Sequence, residues 1–125
     1  MTTETKTAMS TQEVADRLVS LCREGKVIDA GEELYGDDIV SHESEPSPTL
    51  LLKGKKDVRT KGNQFAEMIE AHHGGKISDP QVAGDYFTVA WSMDVTMKGQ
   101  GRSMMNEIAV YKVQDGKIVE EWFHY

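Results

Sequence analysis

The chain has 125 residues, one cysteine and a formal charge of −7 at pH 7. That length makes one domain with a core of its own, needing neither a metal nor disulfides, and the single Cys22 has no partner for a bridge. The acidic balance argues against nucleic acid and anionic membrane surfaces as partners, and no apolar run reaches the length of a bilayer span. Residues 1–10 read as a polar, mobile tail, with residues 11–125 forming the domain. The opening stretch lacks the basic and apolar regions of a secretory signal. Together with the lone cysteine this points to the cytoplasm.

Ser10, followed three residues later by Glu13, forms a capping box. Behind it Val14, Leu18, Leu21 and Cys22 recur at helical spacing, which predicts a helix over about 11–24 that Gly25 stops. A shorter helix over roughly 27–35 follows, with Ile28, Leu34 and Tyr35 on one side. Asp37 and Asp38 break that pattern and are expected to meet water at the helix end, and 39–43 reads as a short strand. Two prolines make 44–48 an irregular loop, with Leu50, Leu51 and Leu52 packed under it. Gly54 opens a third helix over about 55–72, carrying Val58, Phe65, Met68, Ile69 and His72 at helical spacing. Gly62 weakens its middle and the stretch 72–75 ends it. His72 and His73 suit a helix C-terminus, and no third ligand makes them a metal site.

From Lys76 the period becomes two. Residues 86–97 alternate, with Phe87, Val89, Trp91, Met93, Val95 and Met97 on one face. The stretch 99–101 is a hairpin turn, 104–113 the next strand, Asp115–Gly116 a type I′ turn, and 117–125 the last strand. Trp91, Met93, Met104 and Phe65 are core candidates that would wall an open pocket. Helices first and an antiparallel meander after them give an α+β chain. The last two strands lack a polar face, which predicts a sheet covered by helices on one side and a second subunit on the other.

The helix end at Leu34–Tyr35 with Asp37 and Asp38, the third helix after Gly54, and the ending DGKIVEEWFHY together resemble the SnoaL-like proteins of the nuclear-transport-factor-2-like superfamily. The resemblance covers residues 11–125. It implies a curved antiparallel sheet wrapped around helices to form a cone with a central pocket. Members of that superfamily include steroid isomerases and polyketide cyclases, and also proteins without chemistry, so the fold by itself does not give the function.

A two-residue turn at Asp115–Gly116 pairs Val110 with Glu121, Ile108 with Phe123 and Asn106 with Tyr125 on one face. It pairs Glu107 with His124 and Ala109 with Trp122 on the other, where Glu107 and His124 read as a cross-strand ion pair. Alignment of the same turn to the steroid isomerases also sends Ile108, Glu121, Phe123 and Tyr125 inward. For the preceding hairpin, Trp91 opposite Ile108 turns Asp94 outward, and a one-residue slip would reverse that.

The resemblance also places the isomerases' general-base carboxylate at Glu43. A carboxylate half-buried in an apolar cone is pushed toward neutrality and could shuttle a proton beside a carbonyl. The two hydroxyl donors of the isomerase oxyanion site fall on Leu18 and Ile108, neither of which can donate. The isomerase mechanism is therefore not expected; cyclase chemistry, which needs only a carboxylate in an apolar cavity, is compatible. The expected site is Glu43 as proton carrier, with Tyr35, His42, Phe65, Trp91, Met93, Asn106, Ile108, Glu121, Phe123 and Tyr125 around the ligand. A small apolar ligand, a homodimer and no cofactor are expected. The competing expectation is a non-catalytic ligand-binding or dimerisation module.

Overall fold

Helix α1 (Thr11–Arg23) begins where the capping box requires. The Glu13 N–H donates to the Ser10 hydroxyl and the Ser10 N–H donates back to the Glu13 carboxylate. Its apolar stripe buries Val14, Ala15, Leu18, Val19 and Leu21. At its other end the Gly25 N–H reaches the Cys22 carbonyl and the Lys26 N–H the Leu21 carbonyl. This double bond pattern needs a left-handed residue, and Gly25 adopts φ +78°. Helix α2 (Val27–Leu34) buries Ala30 and Leu34, whereas Ile28 faces solvent rather than the core.

The computed structural model describes residues 8–44 and 50–125. Most of the expected tail (1–7) and most of the proline loop (45–49) lie outside them. Strand β1 (Tyr35–His42) follows α2 without a loop. Asp37 and Asp38 are exposed, as expected, but within the strand. Strand β2 (Leu51–Lys53) pairs antiparallel with β1, and Leu50 and Leu51 are exposed rather than packed inward.

Helix α3 (Lys55–Met68) is four residues shorter than its apolar spacing suggests, and strand β3 (Ile69–Ile77) begins at once. His72 and His73 therefore lie in a strand and not at a helix end. The reason is a partner distant in sequence: β3 lines up antiparallel along β5 (Tyr86–Met97), and Gly74 and Gly75 give the helix nothing in return. Strand β4 (Gln81–Ala83) pairs with the start of β5. Strands β6 (Gly101–Gln114) and β7 (Lys117–His124) complete the meander.

The sheet order is β2-β1-β7-β6-β5-β3, with β4 beside β5. It is antiparallel except where β1 runs parallel to β7, so the curved sheet is mixed. The helices pack on its inner face, and one core joins α1, α2, Ile39, Val58, Phe87, Val89, Ala109, Tyr111, Val113 and Ile118. This is the α+β cone. Among the described residues no helix is long and apolar enough to cross a membrane.

The registers decide which side chains enter the cone. Asp115 and Gly116 both take positive φ, 52° and 76°, as a type I′ turn demands. Gln114 pairs with Lys117 and Val113 with Ile118, but Lys112 then pairs with Glu120. Val119 is the extra residue of a bulge, which moves the pairing by one. Beyond it Tyr111 faces Glu121, Ala109 faces Phe123 and Ile108 faces His124. The expected pairs of Ile108 with Phe123, Val110 with Glu121 and Glu107 with His124 are thus each off by one. The next hairpin agrees: Trp91 pairs with Glu107, not Ile108, and Met93 with Met105. Phe87, Val89, Trp91, Met93 and Val95 do share the inner face, and Asp94 points outward to a forked bond from Arg102 at 2.9–3.0 Å.

Candidate functional site

Seen from its floor upward, the cone interior is built around carboxylates. Glu121 on β7 is 1% exposed and accepts a 2.6 Å bond from the Tyr35 hydroxyl. Ser41 lies beside it on β1 and Tyr111 on β6, both in register. Burial pushes the Glu121 carboxyl up, opposed by the Tyr35 and Ser41 hydroxyls and by the Lys61 ammonium. The Ser41 hydroxyl is buried without a hydrogen bond of good geometry. Burial, then the charge of Glu121, holds the phenols of Tyr35 and Tyr111 well above their ordinary range, so both stay neutral donors.

Above this floor stands Glu107 on β6. Its position across from Trp91 turns it into the cone, the reverse of the outer-face position expected for it. Burial pushes its carboxyl up, Lys61 pulls it down, and Glu121 adds to the rise. No hydrogen-bond donor from the described residues satisfies it.

At the mouth, the largely buried Glu43 side chain contacts the Lys61 ammonium. The Tyr125 hydroxyl donates to its other oxygen at 2.9 Å. Both partners stabilise a carboxylate anion. Lys61 reaches this place from α3, where Val58, Lys61 and Phe65 follow one another at helical spacing. Its Nζ lies 5.2 Å from the centroid of the Phe123 ring, and burial lowers its pKa, with Glu121 and Glu107 opposing. The aromatic wall continues inward: Phe123 meets Tyr111 edge-on at 6.3 Å, and Tyr111 stacks on Phe87 at 4.8 Å. The Trp91 indole N–H is buried and directed toward Tyr111 without a well-formed bond.

Of the expected ligand-contacting residues, Tyr35, Trp91, Met93, Glu121, Phe123 and Tyr125 belong to the inner side with Glu43, and the half-buried Phe65 lies on the face of α3 that carries Val58. Three do not. His42 lies on the outer face, 2.6 Å from Glu120 and stacked on Trp122 at 5.2 Å. Asn106 and Ile108 also point outward, because the Val119 bulge reverses β6 relative to β7. Met104, expected in the core, is 56% exposed. Two inner residues escaped the sequence reading. Glu107 needed the bulge, which no residue pattern announces, whereas Lys61 was available from the spacing of Val58 and Phe65 on one helical face.

Two depressions open on the surface. One, of about 510 Å³, is bounded by outward residues such as Ser92, Asn106, Ile108 and His124 and also by Ile77, Trp91 and Glu107. The other, of about 430 Å³, lies between α1 and Asp79–Pro80, remote from the carboxylates of the cone. Among the described residues no three His, Cys, Asp or Glu side chains gather as metal ligands.

The profile of the SnoaL-like domain matches residues 9–125. The chain belongs to the SnoaL-like family. A SnoaL-like protein of Mesorhizobium loti that bears the name polyketide cyclase is 37% identical; the match covers 94% of this chain and 100% of that one, with a TM-score of 0.89. A cystatin-like-fold protein of unknown function from Xanthomonas campestris shares 16% identity over 92% of this chain and 89% of its own, with a TM-score of 0.78. A nuclear-transport-factor-2-like protein of unknown function, also from Mesorhizobium loti, shares 22% over 91% and 88%, with a TM-score of 0.70. These last two likenesses are of fold. No curated protein matches the chain. Membership of the SnoaL-like family supports a small-molecule pocket in the cone.

Proposed function

We propose that this SnoaL-like protein takes up a small apolar carbonyl compound at the mouth of its cone and moves a proton beside the carbonyl, as a cyclase or isomerase does. The observation that carries the proposal is Glu107, a half-buried carboxyl turned into the cone across from Trp91, raised by burial and without a hydrogen-bond donor among the described residues. A carboxyl inside the cone can take a proton from carbon and return it, which is what enolisation requires. Glu43, the carboxylate indicated by the resemblance, is engaged by Lys61 and Tyr125. It is assigned the part of holding Lys61, and Glu107 the part of proton carrier. Side chains alone supply the chemistry in this reading. A reducing, cytoplasmic compartment fits the single thiol of Cys22.

The test is exchange of α-protons for deuterium in a panel of enolisable aryl ketones, followed by proton NMR. Catalysed exchange should fall about 10²–10⁴-fold in Glu107→Gln, the usual contribution of a general base. Exchange that is unchanged in that variant rules Glu107 out as the carrier.

A second reading makes the fold an assembly module, and the outer face supports it. Ile108, 52% exposed, lies there one same-face position along from Val110 and its partner, the half-buried Trp122, which the exposed Tyr86 adjoins; Met104, 56% exposed, stands further along the same face of β6. Apolar side chains grouped in this way mark an interaction surface. The occupant we propose is a second copy of the chain, related by a two-fold axis. Dimerisation and pocket chemistry use opposite faces of the sheet and are compatible.

A further inference from the structure

The proton-transfer reading leaves one chemical need unmet. Removing a proton beside a carbonyl drives negative charge onto its oxygen, and something must hold that charge. Leu18 and Ile108, where the resemblance places the hydroxyl donors, offer none. The Tyr35 hydroxyl is already committed to Glu121.

Lys61 is differently placed. Among the described residues it is a cationic side chain that enters the cone, brought there by the helical face it shares with Val58 and Phe65. Its side chain retains 30% exposure, so the ammonium stands at the boundary between the interior and the mouth. An ammonium has three donors, and Glu43 is its polar partner among the described residues. Its Nζ lies above the Phe123 ring at 5.2 Å, where an aromatic ligand would also find a wall. Glu107 is near enough for the two charges to influence one another.

We infer that Lys61 donates a hydrogen bond to the carbonyl oxygen of the ligand and holds the charge that gathers on it, with Glu43 as the residue that positions the ammonium. The inference rests on the proton-transfer reading. In the step, the Glu107 carboxylate takes the α-proton, the C–H electron pair becomes the new C=C bond, and the carbonyl π pair moves to the oxygen facing Lys61. Glu107 then returns its proton to carbon. The ammonium keeps its protons throughout, so the cycle is balanced without an oxidant or co-reactant.

The test uses 2-acetylnaphthalene as probe, with binding read by calorimetry and the bound carbonyl stretch by infrared spectroscopy. The stretch should lie at lower frequency in the wild-type chain than in Lys61→Met, with part of the shift kept in Lys61→Arg. Deuterium exchange should fall about 10²–10³-fold in Lys61→Met, the usual loss for one oxyanion donor, with the ketone still bound. Retained binding reports a folded cone, and Lys61→Arg guards against a packing defect. A ketone that binds with the same stretch in wild type and Lys61→Met overturns the role of Lys61 and leaves Glu107 standing. A shift that depends on Lys61 beside exchange that ignores Glu107→Gln supports Lys61 and removes Glu107. A wild-type chain that does not take up the ketone ends both.

Discussion

Glu121 is buried among aromatic and aliphatic side chains, and a charge there loses more solvation than the Tyr35 and Ser41 hydroxyls return. Its folded pKa is therefore raised, and the folded chain holds the proton more tightly than the unfolded chain does. The stabilisation this provides is complete below the unfolded value, about 4.3, and is lost as pH rises through the folded value. Glutamine carries no such charge. Wild type should thus lose stability relative to Glu121→Gln as pH rises from 4 toward neutrality, measured by urea denaturation at stepped pH. A constant difference between the two chains would mean that Glu121 is not buried as described. Cys22 gives a second check at this scale. Burial pushes its thiol up to about 12, so at pH 8 the thiolate is on the order of 10⁻⁴ of the total. Alkylation by iodoacetamide should be slow in the native chain and rise to the rate of an ordinary thiol in denaturant.

Single elements show what the residues could and could not announce. Helix α1 was legible from end to end, because its start and stop depend on neighbours: the capping box of Ser10 and Glu13 and the left-handed Gly25. Ser10→Ala should cost about 1 kcal/mol in thermal or urea unfolding. The inner face of β5 was legible for the same reason, since alternation of Phe87, Val89, Trp91, Met93 and Val95 is local. The end of α3 was not, because β3 forms only against β5, and that partner is distant in sequence. Nor was the inward turn of Glu107. It depends on the bulge at Val119, which lets both Ile118 and Glu121 face inward although they stand three positions apart. The resemblance singled out Glu43, whereas its ion pair with Lys61 depends on the placement of α3 against β1. In β3, a Cβ on Gly75 would stand 2.5 Å from the Ser92 carbonyl oxygen. Gly75→Ala should accordingly cost about 1–3 kcal/mol, as other overpacked sites do, measured by urea denaturation.

For the whole molecule, the curved sheet separates two surfaces of different chemistry. Inside lie Glu107, Glu121, Glu43 and Lys61 with aromatic walls; outside lie Met104, Ile108 and Tyr86. If the outer face joins two copies, light scattering should give twice the chain mass for wild type. Ile108→Lys combined with Met104→Lys should return a monomer with its fold and its deuterium exchange intact. A wild-type monomer would remove the assembly reading without touching the site in the cone.

The most direct test of the central claim is an NMR titration of the Glu107 carboxyl carbon, assigned by comparison with Glu107→Gln, with and without 2-acetylnaphthalene. With Glu107 as the proton carrier, its pKa should lie above the ordinary glutamate value of about 4.3 and move when the ketone binds. An ordinary value that ignores the ketone would contradict that role.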